Sequence, residues 1–138
     1  MSEHWPSEPI PNEELVYQFV HQQWFKKAGG VSPTFFKNAT DPHSGRAGMS
    51  TDWSRYSTPV QTRDRAKNPA INGVIETPVS DVRAIPDQMV EHTPILDHPD
   101  PEVKDNRSHT DVFGPKDDLE IKRCFSRKCR IVIFAPAK

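Results

Sequence analysis

The stretch from Asn106 to Lys116 reads Asn-Arg-Ser-His-Thr-Asp-Val-Phe-Gly-Pro-Lys, and its side chains alternate in kind. Successive side chains of a β-strand point to opposite faces, so one face of such a strand carries a serine, a threonine and a valine. The other face carries Arg107, His109, Asp111 and Phe113. The pattern predicts a strand that places a histidine beside a carboxylate.

A helix is predicted directly after this strand, over residues 118–127. Asp117 and Glu120 stand three residues apart, as the two partners of a capping box do at a helix N-terminus. The apolar side chains that recur at the spacing of one helix face, and should point into the core, are Ile121, Cys124 and Phe125. The run 130–135 that follows is predicted to be a buried strand.

The ordered part of the chain is expected to begin near Glu13. The run 15–20 is rich in aromatic and β-branched residues, which favours a strand, although the glutamates and glutamines around it would also suit a helix. Further strands are predicted at 48–53, 73–76 and 88–92. In the first of these, an alternating pattern predicts one buried face and one face that presents the hydroxyl of Ser50 and the carboxylate of Asp52.

Three pairs of a hydroxyl residue and a proline are typical of helix starts. The hydroxyl accepts a hydrogen bond from an unpaired backbone N–H, and a proline at the first helical position gives up a donor that had no partner. The pairs are Ser32-Pro33, Thr58-Pro59 and Thr77-Pro78. They predict short helices at 33–38, 59–67 and 78–84.

The composition favours one small domain with long loops. The 138 residues include 14 prolines, which argue against a helical bundle, and only 34% of the side chains are apolar. Helices and strands interleave without a regular βαβ order, so we predict an α+β domain with a mixed, mostly antiparallel sheet of about five strands and short helices. Residues 1–12 are expected to form a flexible N-terminal arm, and residues 13–138 the single domain.

The net charge of the chain does not indicate binding to a polyanion. Eighteen basic and nineteen acidic side chains leave a net charge of -1, which makes nucleic acid an unlikely partner. No stretch approaches the roughly 18 apolar residues of a spanning helix, and the N-terminus lacks the pattern of a signal peptide. We therefore expect a cytoplasmic protein without a membrane partner, in which Cys124 and Cys129 are reduced thiols.

Several short pieces resemble a set of small uncharacterised bacterial proteins. The matching residues are Val20-His21 with Trp24, Ser32 with Phe36, Met49-Ser50-Thr51-Asp52, Val82-Arg83, the proline loop from Asp97 to Pro101, and Ser108-His109 followed by Gly114 and Lys116. Such proteins often carry an arginine before the Val-His pair, where this chain has Phe19. The resemblance implies a bacterial origin and no particular activity. His21 and Arg83, which lie in the matching pieces, are candidate ligand-binding residues.

His109 is the leading candidate for chemistry. A histidine beside a carboxylate can act as a general base, because the carboxylate fixes its tautomer and stabilises its cation. Asp111 or Asp52 would serve as that carboxylate, Ser50 is a candidate nucleophile, and Lys116 is expected at the mouth of the site, where it would neutralise an anionic ligand. The alternative is a surface histidine that is hydrogen-bonded on a half-exposed strand.

Two further constellations carry weaker signals. His92, His98 and His109 lie among several aspartates, but their spacing matches no familiar zinc pattern, so we predict no metal and no cofactor. Basic side chains crowd the end of the last helix and are candidates for binding a partner: Lys122, Arg123, Arg127 and Lys128. The alternative is that these cations only complement the helix dipole.

The leading hypothesis is a soluble bacterial binding or interaction domain whose partner is a protein or a small anionic ligand. That partner would engage the His109 region and the basic helix end. The runner-up is a hydrolase or transferase that acts on a phosphorylated or nucleotide-like substrate with His109 as acid or base. The sequence leaves open whether the protein is an enzyme.

Overall fold

Seven β-strands form one sheet in the computed structural model, which describes residues 4–137. The strands are β1 (Leu15–His21), β2 (Ala39–Thr40), β3 (Ala47–Trp53), β4 (Asn72–Pro78), β5 (Met89–His92), β6 (His109–Phe113) and β7 (Arg130–Ile133). The helices are α1 (Pro59–Asp64), α2 (Val79–Ala84) and α3 (Leu119–Lys128), and 3-10 turns lie at Gln22–Trp24, Pro33–Phe35 and Pro69–Ile71.

The predicted α+β class is confirmed, but the strand count is higher than expected. Six of the seven strands fall in segments predicted as strands, and the seventh, β2, has only two residues, Ala39 and Thr40, which is too short to leave a pattern in the sequence. Every strand pair among residues 4–137 is antiparallel, so the mixed sheet that we expected is not seen there.

The strand order is β5-β6-β3-β1-β4-β7, and β2 pairs with the N-terminal end of β3. The β3–β6 register sets Ser50 opposite Asp111 and Asp52 opposite His109. Because directly opposed residues of an antiparallel pair share one face of the sheet, these four polar side chains all lie on the same face.

The alternation predicted for β6 is confirmed. Ser108, Thr110 and Val112 are each completely buried, while His109 and Asp111 on the other face are partly exposed. The strand predicted at 15–20 is also confirmed, because β1 pairs along its whole length with β4 and also contacts β3. Two ladders of backbone hydrogen bonds decide between strand and helix here.

The three hydroxyl–proline pairs have three different outcomes. Thr58 forms the predicted cap of α1, in a capping box with Gln61. Ser32 instead bonds to the hydroxyl of Thr34, and only a 3-10 turn follows it. Thr77 does not cap α2: it is buried in β4, and Pro78 takes the cap position. The prediction failed there because β4 stays paired with β1 up to the proline.

Helix α3 confirms the packing prediction but not its cap. Phe125 is buried and its ring stacks on that of Phe36 at 5.5 Å. The N-cap is Asp118 rather than Asp117, since a carboxylate oxygen of Asp118 accepts from the amide of Glu120 at 2.7 Å. Two adjacent aspartates leave the start of a helix ambiguous by one residue.

The prediction of a buried strand at 130–135 is wrong. β7 pairs only with β4 among the described strands, so it lies at an edge of the sheet, with Val132 and Arg130 exposed. Its register with β4 shifts at a bulge beside Val74, and Arg130 forms an ion pair with Glu76 at 3.5 Å. An apolar run alone does not distinguish an edge strand from a central one.

The segment predicted as a flexible arm contacts the domain over residues 7–12. Ser7 donates a hydrogen bond to the carbonyl of His92, and the amide of Glu8 donates to the ring of the same histidine. Ile10 is buried in the core. These contacts hold the segment at the β5 edge of the sheet.

Cys124 and Cys129 are both free thiols, and burial raises the pKa of Cys129 to about 11. None of the helices described within residues 4–137 combines the length and the apolar character that a bilayer crossing requires.

Candidate functional site

The ring of His109, the first residue of β6, is held in one tautomer when it is neutral. Its Nδ1 lies 2.9 Å from the carbonyl oxygen of Thr93 and 3.0 Å from the hydroxyl oxygen of the same residue. A carbonyl oxygen only accepts, and the Thr93 hydroxyl already donates its single hydrogen to Asp111 at 2.8 Å. Nδ1 must therefore carry a hydrogen, and in the neutral ring Nε2 is left as an acceptor.

Ser50 provides the hydrogen-bond donor for Nε2 of the neutral ring. Its Oγ lies 3.2 Å from Nε2 of His109, so the serine hydroxyl donates to the ring. Asp111 completes the group, because one of its oxygens is 3.9 Å from Nδ1 and is tied to the ring through Thr93. The structure thus brings together three of the predicted catalytic residues, Ser50, His109 and Asp111.

These side chains lie in a cleft of about 750 Å³. The segment 39–46 forms one wall and the proline-rich segment 93–100 forms the other. The walls meet where the rings of His43 and His98 contact at 5.5 Å and where Nε2 of His98 lies 3.8 Å from Asp41. The apolar lining comes from Ala39, Pro42, Pro94, Ile95, Leu96, Pro99, Val103 and Phe113.

Acidic side chains outnumber cations in this cleft. The carboxylates in its lining are Asp41, Asp97, Asp100 and Asp111, against the single guanidinium of Arg46. That guanidinium is engaged by Glu91 at 2.8 Å and lies over the ring of Phe113. The pKa of Asp41 is lowered, chiefly by a hydrogen bond from the backbone amide of His43, so this carboxylate stays ionised. The cleft is therefore suited to uncharged or cationic groups.

Asp52 lies opposite His109 in the sheet, but its carboxylate is committed elsewhere. It accepts hydrogen bonds from Thr62 at 2.8 Å, Arg65 at 2.9 Å and Asn106 at 2.9 Å. It is buried beneath α1, which carries Thr62. Of the two carboxylates predicted to orient the histidine, only Asp111 lies in the cleft.

The predicted place of Lys116 at the mouth of the site is wrong. The side chain is buried, and its Nζ donates to Asn38 at 2.6 Å, to the carbonyl of Val112 at 2.8 Å and to that of Gly114 at 3.0 Å. These three bonds use all the hydrogens of an ammonium group. Burial lowers the pKa of Lys116 to about 8. The Gly-Pro turn directs the side chain into the domain rather than over the strand.

The other two candidate ligand-binding residues lie outside this cleft. Nδ1 of His21 accepts from the amide of Gln23, and the ring borders a separate depression of about 400 Å³ beside Phe19. Arg83 donates to the carbonyl of Ile10 and so fastens the N-terminal segment.

Most cations of the basic helix end already have partners within the fold. Lys122 donates to the carbonyl of Phe36 at 2.6 Å. Arg123 and Arg127 both bond to Glu120, at 3.5 Å and 3.2 Å. Lys128 lies in the last turn of the same helix. This end of α3 is thus partly neutralised by its own carboxylate.

The three histidines weighed as metal ligands are not gathered around one point. His92 is buried, with Nε2 donating to the carbonyl of Arg107 at 2.7 Å, while His98 and His109 border the cleft. In residues 4–137 no group of three or more histidine, cysteine, aspartate or glutamate side chains is placed to hold a metal ion.

Thr93 is the residue that the sequence analysis missed. It follows β5 directly, and the pairing of His92 with Thr110 places it beside His109. A hydroxyl residue before Pro94 was the only local signal, and it resembles the helix-start pairs found elsewhere in the chain. Its role becomes apparent only once the β5–β6 pairing is known.

Comparisons with protein-family models, curated proteins and solved structures give no match to this chain. The function is therefore inferred from the geometry of the cleft itself.

Proposed function

We propose that this protein binds a small organic ligand, uncharged or cationic, in the cleft around His109. The observation that carries the proposal is a histidine of fixed tautomer in a cleft with apolar walls and an excess of carboxylates. Small-molecule sites combine mostly apolar walls with a few polar groups that fix the orientation of the ligand. The bacterial, cytoplasmic setting expected from the sequence remains part of this proposal.

The size of the cleft supports this class of ligand. A volume of about 750 Å³ lies within the roughly 300–1,000 Å³ that is usual for small-molecule pockets. Ser50 and His109 would provide hydrogen-bonding atoms on the floor, and the prolines of segment 93–100 would make one wall stiff. A preformed wall lowers the entropy that the protein loses when a ligand binds.

The proposal departs from the anionic ligand expected from the sequence. That expectation depended on Lys116 at the mouth of the site, and this ammonium group is instead bonded to three oxygens inside the domain. A phosphorylated or nucleotide-like substrate would bring its charge against the carboxylates of the cleft. Like charges at close range are repulsive, and burial strengthens the repulsion.

Three aromatic probes of similar size test the sign of charge that the cleft prefers. We expect benzylammonium and benzyl alcohol to shift the backbone amide NMR signals of Ser50, Thr93 and His109, and benzoate to have a much weaker effect. Asp111→Asn should weaken the preference for benzylammonium over benzoate. Asp64→Asn is the matched control, because Asp64 is an exposed carboxylate on α1 outside the cleft.

Tight binding of benzoate would overturn the charge preference. Signal changes confined to residues outside the cleft would overturn the assignment of the site.

A further inference from the structure

We propose that Ser50 is a nucleophile activated by His109, and that the cleft hydrolyses carboxylic esters that carry no negative charge. This inference rests on the proposed function, since the ester would occupy the same cleft. It assigns a chemical step to side chains that ligand binding alone uses only as hydrogen-bonding groups.

The hydrogen-bond directions favour this step. Because Nδ1 carries a hydrogen, Nε2 of the neutral His109 ring is free to take a proton, and the Ser50 hydroxyl lies 3.2 Å away, within reach to donate one. A general base must lie within hydrogen-bond reach of the proton that it removes, and this pair meets that requirement. Ser50 itself is exposed, so an ester can approach its oxygen.

The surroundings of Nδ1 favour the charged form that the step creates. When Nε2 takes the proton, the ring becomes an imidazolium that donates from both nitrogens. Its Nδ1–H faces two acceptor oxygens of Thr93 and the carboxylate of Asp111 at 3.9 Å. Asp111 is a positioning residue here, since it acts on His109 and not on the ester.

The reaction balances without any further reagent than water. Oγ of Ser50 bonds to the ester carbonyl carbon while its proton moves to Nε2, and the bond to the alcohol oxygen then breaks as that oxygen takes the proton from Nε2. The oxygen of water next bonds to the acyl carbon while one of its protons moves to Nε2, and the bond between that carbon and Oγ then breaks as Oγ takes the proton from Nε2. The products are an alcohol and a carboxylic acid, whose ionised form the acidic cleft would repel.

The cleft contains a second serine, Ser44, whose reactivity can be compared with that of Ser50. The side-chain oxygen of Ser44 accepts from the backbone amide of Arg46 at 3.2 Å. Ser50 is bonded to a histidine instead. If exposure within the cleft were sufficient for reactivity, both serines would react alike.

The test uses diisopropyl fluorophosphate, an uncharged reagent that phosphorylates activated serines with loss of fluoride. Intact-mass measurement and peptide mapping of the full chain should find one adduct, on Ser50. His109→Gln should slow its formation at least about 100-fold, the lower range for loss of a general base. Ser50→Ala should give no adduct, and Ser44→Ala should react like the unaltered protein.

Labelling of Ser50 at an unchanged rate in His109→Gln would overturn the proposal, as would labelling of other serines alone. If benzylammonium binds in the cleft but Ser50 is not labelled, the nucleophile inference fails and the binding function stands. If benzylammonium does not bind in the cleft and diisopropyl fluorophosphate does not label Ser50, the binding function and the nucleophile inference both fail. Circular dichroism of each variant checks that it is folded.

Discussion

The β3–β6 pair carries two polar groups on one face that differ in what covers them. The carboxylate of Asp52 lies under α1 and is enclosed by Thr62, Arg65 and Asn106. Ser50, two residues earlier on the same strand, faces a cleft between two loops together with His109. The comparison shows that a helix over one part of a sheet face makes a structural network, whereas loops over the next part leave a site open to a ligand.

The two groups should also differ in their energetic roles. Removing one partner from a buried, hydrogen-bonded charge leaves the other partners unsatisfied, which is strongly destabilising. A polar side chain at an exposed position contributes little to stability, and its substitution usually changes the free energy of unfolding by no more than about 0.5 kcal/mol. Stability and function should therefore separate between Asp52 and Ser50.

Phe125→Ala, a substitution in the core, should give the largest loss of stability. The ring is buried and stacked on Phe36, so its removal should cost roughly 3–5 kcal/mol, the usual range for such a truncation. Urea denaturation measures the loss. Leu119→Ala on the same helix is the control, since Leu119 is 46% exposed. A near-neutral Phe125→Ala would contradict the packing of α3.

Asp52→Ala should come next, with a cost of about 2–3 kcal/mol. This lies at or just below the lower limit for breaking a buried ion pair, because the Arg65 side chain is 32% exposed and can be rehydrated. Ser50→Ala, measured by the same urea denaturation, should cost no more than about 0.5 kcal/mol. Equal losses in the two variants would remove the distinction between a structural and a functional group.

Lys116 should give an effect on stability of similar size that depends on pH. Its pKa is about 8 in the folded protein, below the 10.5 of the free side chain, so the unfolded chain binds more protons between these values. The contribution of this group to stability should therefore rise as the pH increases from about 8 to about 10.5, by roughly 2–3 kcal/mol. Lys116→Met, compared with the unaltered protein by urea denaturation across this range, should lose that rise. An identical pH dependence in both proteins would contradict the buried position of the ammonium.

Local patterns predicted the elements that depend on short-range chemistry. The alternation in β6, the apolar face of α3 and the hydroxyl cap at Thr58 each follow from side chains a few residues apart, and the structure confirms all three. The neighbourhood of His109 and Asp111 was predictable for the same reason.

What the sequence did not predict depends on the order of the strands. Thr93 reaches His109 only because β5 pairs with β6, and Asp52 is drawn away from the histidine because α1 lies over that part of β3. The edge position of β7 likewise follows from the sheet as a whole. Such long-range neighbours leave no periodic signal in a single chain.

The edge strand β7 has a consequence for how this protein behaves at high concentration. An open sheet edge can template the addition of strands from other molecules, and the risk is greatest when the edge is flat, long and apolar. β7 has only four residues, is interrupted at its bulge, and begins with the charged Arg130 paired to Glu76. These features oppose edge-to-edge aggregation despite the exposed ring of Phe134 beside the strand.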